Sequence, residues 1–238
     1  MHIPDGYLSP QTSGALYVAA APLWAISLRA IRRSMGRRRL PLLALLAAFS
    51  FLVMMLNIPL PGGTTGHAVG AVLMAIIVGP WPAVMSVTIA LAVQALFFGD
   101  GGLLALGANA VNMGFLMPFA GYLTFKAIGG RASSGSRRFT FAAAAGGYVG
   151  MNVAALAVAL ELGIQPLLSR AADGTPLYCP FPLSVTVPAM MLPHLTIAGA
   201  AEAILTGGVA TFLGRHHPEI FEALRAGPRE NTRREESP

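Results

Sequence analysis

A histidine directly behind the first methionine, Met1-His2, brings three nitrogens within reach of one metal ion. A free α-amine and the amide nitrogen of residue 2 close a five-membered chelate ring. The same amide and the imidazole Nδ1 close a six-membered one. Fused rings of this kind are nearly planar. They suit an ion that prefers a square plane of nitrogens and can displace an amide proton, which points to Ni(II) or Cu(II). Zinc prefers a tetrahedron, and calcium and magnesium prefer oxygen. The chelate needs Met1 to keep its amine. Histidine is a large second residue, unsuited to methionine removal, and nothing basic precedes Arg29 as it would in a secretory signal. A retained, free N-terminus is therefore expected.

The plane needs a fourth nitrogen. The stretch "NIPLPGGTTGHAVG" is rich in turn formers and delivers His67 to the start of an apolar run. A lone histidine there is also how a capping or loop residue looks. Asp5 stands in the opening turn as a hydrogen-bond acceptor or a plain turn residue. Asp100, in the Gly-rich turn of "FFGDGGLLALGANAVNMG", suits orienting a histidine, attracting a cation or capping the next helix. Asn109 and Asn112 lie within an apolar segment, where polar groups are costly and either bond between helices or serve function. His194 and Glu202 are eight residues apart in "PHLTIAGAAEAILTGG", on roughly one helix face, as a relay or as a lock between helices. His216 and His217 read as solvated residues at a helix end.

The elements that position these residues are apolar segments. The chain is 55% hydrophobic and 11% charged, with a mean hydropathy of +0.64, far from the roughly 25% charge of soluble domains. Seven segments run over about 13–30, 40–58, 67–79, 81–98, 103–126, 139–162 and 184–213, most of them near the ~20 residues a span needs. The third is short, and "GPWP" separates it from the fourth. The predicted fold is an all-α integral membrane protein, a bundle of seven transmembrane helices. Residues 1–213 form the membrane domain and 214–238 a cytoplasmic polar tail, a short interfacial helix followed by disorder.

Charge orients the bundle. Of sixteen Lys plus Arg, fifteen fall on one side when seven spans alternate: the six arginines of "RAIRRSMGRRRL", the Lys126–Arg138 group and those from Arg215 onward. Arg170 alone falls on the other. The positive-inside rule makes the basic side cytoplasmic and the N-terminus extracytoplasmic, so His2 and His67 share the outer face. The net charge of +6 is thus a topology signal and not a nucleic-acid surface. The single Cys179 excludes an internal disulfide and reads as a packing residue. No HExxH sequence and no Walker A loop occur, so the chain binds no ATP by that route.

"MHIPDGYLS", "PGGTTGHAVGAVLMAIIVGPWPAVM", "LFFGDGGLLALGANAVNMG" and "PHLTIAGAAEAILTGG" resemble the substrate-binding membrane component of energy-coupling-factor transporters for nickel and cobalt, the NikM/CbiM family. The resemblance covers about residues 1–213. It implies that the N-terminal segment inserts into the bundle from the outer side and that Met1, His2 and His67 hold the ion. It further implies a bacterial inner-membrane location and three kinds of partner: an energy-coupling transmembrane protein, cytoplasmic ABC ATPases and often a small two-helix accessory subunit. Nickel is favoured as the transported substrate, with Co(II) the alternative. Basic loops and small-residue faces such as "AAAAGG" at 142–147 are candidate docking surfaces. Leu103 and Leu104 stand where the family pattern suggests a polar residue, which predicts altered bonding around Asp100. A metal-dependent intramembrane enzyme using His194 and Glu202, or a passive metal carrier, is the rival reading. The nearly pure apolar character of the inner halves of the segments opposes a carrier path.

Overall fold

The computed structural model describes residues 1–35, 40–60 and 64–221. Arg37, Arg38 and Arg39, and the tail beyond Phe221, lie outside the described residues. Helix α1 (Pro10–Ser34) begins where Ser9 Oγ accepts the Thr12 N–H, with proline in its first turn. Helix α2 (Leu40–Met54) leads to a short ribbon, β1 (Ile58–Leu60) antiparallel to β2 (Thr64–Gly66), with Ile58 opposite Gly66. Next come α3 (Ala71–Val78) and α4 (Pro80–Val93), which are parted at Gly79 (φ +90°) with Pro80 opening the second. Helix α4 continues as a π-helical turn, Gln94–Phe98. Helices α5 (Leu106–Asn109) and α6 (Met117–Gly129) are joined by a π-helical segment, Ala110–Leu116. Helix α7 (Arg137–Gly163) is followed by the single turn α8 (Gln165–Leu168). Helices α9 (Leu183–Pro193) and α10 (Gly199–His216) are likewise joined by a π turn, His194–Ala198.

Every residue of α3 is buried. It lies against α4, α6 and α7, and α7 in turn runs between α6 and α10. Small residues bring these backbones together. A Cβ on Gly146 of α7 would stand 2.6 Å from the Gly121 carbonyl of α6, and one on Gly121 would stand 2.7 Å from the Gly146 carbonyl. The "AAAAGG" stretch therefore packs inside the molecule, with Ala142, Ala143, Gly146 and Gly147 buried. It is not an exposed docking face.

Large apolar side chains point outward instead, among them Val18, Leu52, Phe97, Leu123, Leu192 and Ile204. Among the described residues, four helical stretches are long and apolar enough to cross a membrane: Pro10–Ser34, Pro80–Phe98, Arg137–Leu168 and Leu183–His216. Each of the seven apolar segments read from the sequence contains helix, but the third does not start at His67. Helix α3 begins only at Ala71, because Gly70 turns into the left-handed region (φ +72°). His67 thus sits on irregular backbone between β2 and α3. Such backbone is tolerated at depth where protein covers it, and His67 is 1% exposed.

Candidate metal centre

The first residues thread into the molecule and are bonded to it along their length. Asn109 pairs with Ile3 as a neighbouring strand would: the Ile3 N–H donates to Asn109 Oδ1 (2.9 Å), and Asn109 Nδ2 donates to the Ile3 carbonyl (3.1 Å). The Gly102 N–H donates a second bond to that carbonyl (3.0 Å). The Asp5 carboxylate accepts the N–H groups of Leu104 (2.8 Å), Leu103 (3.1 Å) and Ala105 (3.3 Å). A side chain on Gly102 would overlap that carboxylate. Farther on, the Cys179 N–H donates to the Tyr7 carbonyl and the Ser9 N–H to Gln165 Oε1, both at 3.0 Å.

Asp5, not Asp100, therefore holds the turn Leu103–Ala105 that leads into α5. Leu103 and Leu104 bond to Asp5 through their main chains, a contact that does not call for a polar side chain at either position. Asn109→Ala should leave the buried Ile3 N–H unpaired and destabilise the protein by about 2–3 kcal/mol. Hydrogen exchange would show this as faster loss of protection at Ile3 and Gly102 than in α7.

At the end of this segment two imidazoles meet. His67 Nε2 stands 3.1 Å from His2 Nδ1, with ring centroids 4.7 Å apart. His67 Nδ1 is 3.1 Å from the Ala68 carbonyl. A proton on Nδ1 makes that bond and leaves the Nε2 lone pair facing His2. The Met1 amine donates to the Thr65 carbonyl on β2 at 3.2 Å, so one ribbon positions both the amine and His67. The His2 amide N–H has no hydrogen-bond acceptor among the described residues. Metal–nitrogen bonds of roughly 2.0 Å place adjacent corners of a square roughly 2.8 Å apart. The observed 3.1 Å between the two imidazole nitrogens needs only a small adjustment to reach that. No group of three His, Cys, Asp or Glu side chains that could hold a metal occurs among the described residues. What the structure brings together is the pair of imidazoles, close enough to the Met1 amine that its charge acts on both rings.

Burial sets the protonation of these donors. It lowers the Met1 amine from its usual 8.0 to about 6, partly offset by the Asp100 carboxylate. It lowers His2 to about 3, helped by the charge of the amine. His67 falls well below 6.5, through burial first and then the positive charges of the amine, His2 and His194. Both rings are neutral lone-pair donors at neutral pH. Asp100 Oδ1 is 3.4 Å from His2 Nδ1 and partly exposed, on the side of the lone pair and not of the other ring nitrogen, so of the readings open to it, attracting a cation fits.

The other polar residues hold neighbouring backbone. Glu202, fully buried, accepts the Val69 and Gly70 N–H groups. His194 Nδ1 bonds the Met190 carbonyl (2.7 Å), while its Nε2 is buried without a partner. The two do not pair with each other. The π turn at His194–Ala198 adds a residue to the helix and breaks the shared face that eight-residue spacing implied. Asn112 donates to Glu161 Oε2 (2.7 Å). Glu161, Gln94 beside the His2 ring and Gln165 were not singled out from the sequence. Their only signal was a polar residue in an apolar run, as in "LAVQALFF" and "AVALELG".

A family model described as the cobalt uptake substrate-specific transmembrane region matches residues 2–220. The fused nickel transport protein NikMN of Rhodobacter capsulatus is 51% identical over 227 residues, which cover 95% of this chain and 65% of that protein. The probable fused nickel transport protein LarMN of Lactiplantibacillus plantarum is 46% identical over 220 residues, 92% of this chain and 66% of that protein. The chain thus spans just under two thirds of the length of these two relatives. A crystal structure of a truncated transition metal transporter superposes with a TM-score of 0.86 at 50% identity, covering 91% of this chain and all of that one.

Proposed function

The chain belongs to the family of cobalt uptake substrate-specific transmembrane regions, and from that premise we propose that it is the membrane component that captures Ni(II) for uptake. The observation that carries this reading is the meeting of His2 Nδ1 and His67 Nε2 beside the buried Met1. Met1 N, His2 N, His2 Nδ1 and His67 Nε2 would form the four corners. A deprotonated amide in a square plane favours Ni(II), and the curated relatives named above carry nickel in their names. Co(II) is the second reading, favoured by the description of the family model.

In this reading the chain lies in the bacterial inner membrane as seven spans, with the N-terminus outside and the C-terminus in the cytoplasm. The donors then face the side from which the ion comes, and the basic loops face the cytoplasm. The chain itself performs no catalysis. An energy-coupling transmembrane protein and cytoplasmic ABC ATPases would drive release, with a small two-helix accessory subunit as a further partner. His194 and Glu202 do not pair, which counts against an intramembrane enzyme built on them.

Nickel titration of the purified protein tests the proposal. One ion per chain is expected, with the absorption of a diamagnetic square-planar centre. The amide proton leaves at every pH, so affinity should rise about tenfold per pH unit above pH 6. Below about pH 6 the Met1 amine is protonated in the free protein and must also release its proton. The slope should then approach about a hundredfold per unit. The imidazoles add nothing until far lower pH. A pH-independent affinity, or an octahedral spectrum, would rule out the four-nitrogen plane.

A further inference from the structure

The turn after His67 has no helix to hold it, since α3 starts only at Ala71. Its N–H groups reach instead to a side chain more than a hundred residues away. The Val69 N–H donates to Glu202 Oε2 at 2.7 Å, and the Gly70 N–H lies 3.1 Å from each carboxyl oxygen. Thr206 Oγ, one turn along α10, donates to Oε1 at 3.1 Å. On the other side, Ser50 Oγ of α2 donates to the Val69 carbonyl at 2.8 Å. Glu202 is fully buried, and every donor within its reach belongs to this turn or to its own helix. Beyond these bonds, His67 is anchored by the Ala68 carbonyl and by its contact with His2.

We propose that Glu202 is a positioning residue for His67: its carboxyl fixes the Val69–Gly70 turn so that His67 Nε2 faces His2 Nδ1. The inference rests on the metal-site reading above and assigns one corner of the plane to the control of α10. The Met1–His2 half of the chelate is held by Asn109, Gly102 and Thr65 and does not depend on Glu202. Removing the carboxyl leaves two buried N–H groups without an acceptor, and the turn relaxes toward other partners. The loss should therefore fall on the fourth ligand alone.

The test is a double-mutant cycle of Glu202→Ala and His67→Ala, read by nickel affinity and absorption of the purified chain. Glu202→Ala should weaken binding by about 10–100-fold, the usual effect of removing a group that orients a ligand. Its band should move to longer wavelength, as in His67→Ala, because water oxygen replaces the fourth nitrogen. The double variant should bind no more weakly than His67→Ala alone, since residues that act through one another are not additive. Glu202→Gln, which keeps one acceptor oxygen and the shape, should recover most of the affinity and the native spectrum.

Native affinity and spectrum in Glu202→Ala overturn the proposal, as does a double variant that loses the product of both single effects. If Glu202→Ala does not fold, the cycle is run with Glu202→Gln. A severalfold loss that disappears in the His67→Ala background supports the proposal, and an equal loss in both backgrounds overturns it. If His67→Ala itself binds like the native chain, the metal-site reading falls and this inference with it. If His67→Ala loses affinity and Glu202→Ala does not, only the inference falls.

Discussion

Replacing His2 by alanine is expected to lower the nickel affinity of the purified protein by about a thousandfold or more. A four-ligand site with an apparent binding free energy of roughly 10–16 kcal/mol averages about 3 kcal/mol per ligand, or about two decades in affinity. His2 counts for more than one ligand. Its imidazole closes the six-membered ring that makes release of the amide proton favourable, so two corners weaken together. The scaffold should be spared. Ile3 keeps its bonds to Asn109 and Gly102, and Asp5 keeps its bonds to the α5 start. The substitution also removes the contacts of the buried His2 ring with Asp100, His67 and Gln94. Metal-free thermal stability should fall only by what those side-chain contacts contribute, while nickel no longer raises it. Isothermal titration beside a melting curve with and without nickel separates the two effects. Binding within tenfold of native would move the site away from the N-terminus, with the unpartnered His194 Nε2 as the next place to look.

What could be read from the sequence was what depends on near neighbours. That Met1-His2 offers an amine, an amide and an imidazole at chelate-ring spacing follows from covalent structure alone, and the segments announce themselves by length and composition. The placing of His67 beside His2 needed the additional argument that both lie on one face. What could not be read depends on long-range partners of main-chain groups. Asp5 holds a turn nearly a hundred positions away, and Glu202 holds a turn more than a hundred residues before it. Backbone acceptors and donors carry no residue-specific sign of this kind. The three π-helical stretches at Gln94–Phe98, Ala110–Leu116 and His194–Ala198 were hidden for a different reason. Helices apolar on all sides show no stripe whose drift would betray an added residue. Each stretch nevertheless lies at a polar residue used here: Gln94, Asn112 and His194. A polar side chain inside an apolar run was the available sign of irregular backbone.

Extending the chain by three residues before Met1 should also lower nickel affinity by about a thousandfold or more, but with a different accompaniment. The Met1 nitrogen becomes a secondary amide with no free amine beside it to anchor the metal while its proton leaves, so both the amine corner and its five-membered ring are lost. Met1 is 5% exposed and its amine is seated against Thr65, so the added residues have little room. The N-terminal segment must withdraw or bulge, giving up part of its bonding to Asn109 and Asp5. Metal-free stability should then drop by about 1–3 kcal/mol through the main-chain bonds of the segment, which His2→Ala leaves in place. Three residues are needed because a single one would offer amine, two amides and imidazole in sequence. That set closes a nitrogen plane by itself and would bind nickel without His67. Two measurements therefore decide the role of the amine: nickel affinity of the extended chain, and of the extended chain after a protease restores Met1 as the first residue. Loss followed by recovery assigns the amine as a ligand. Retention of native affinity in the extended chain would mean that solvent or another side chain supplies that corner, and the slope below about pH 6 would stay near tenfold per unit instead of steepening.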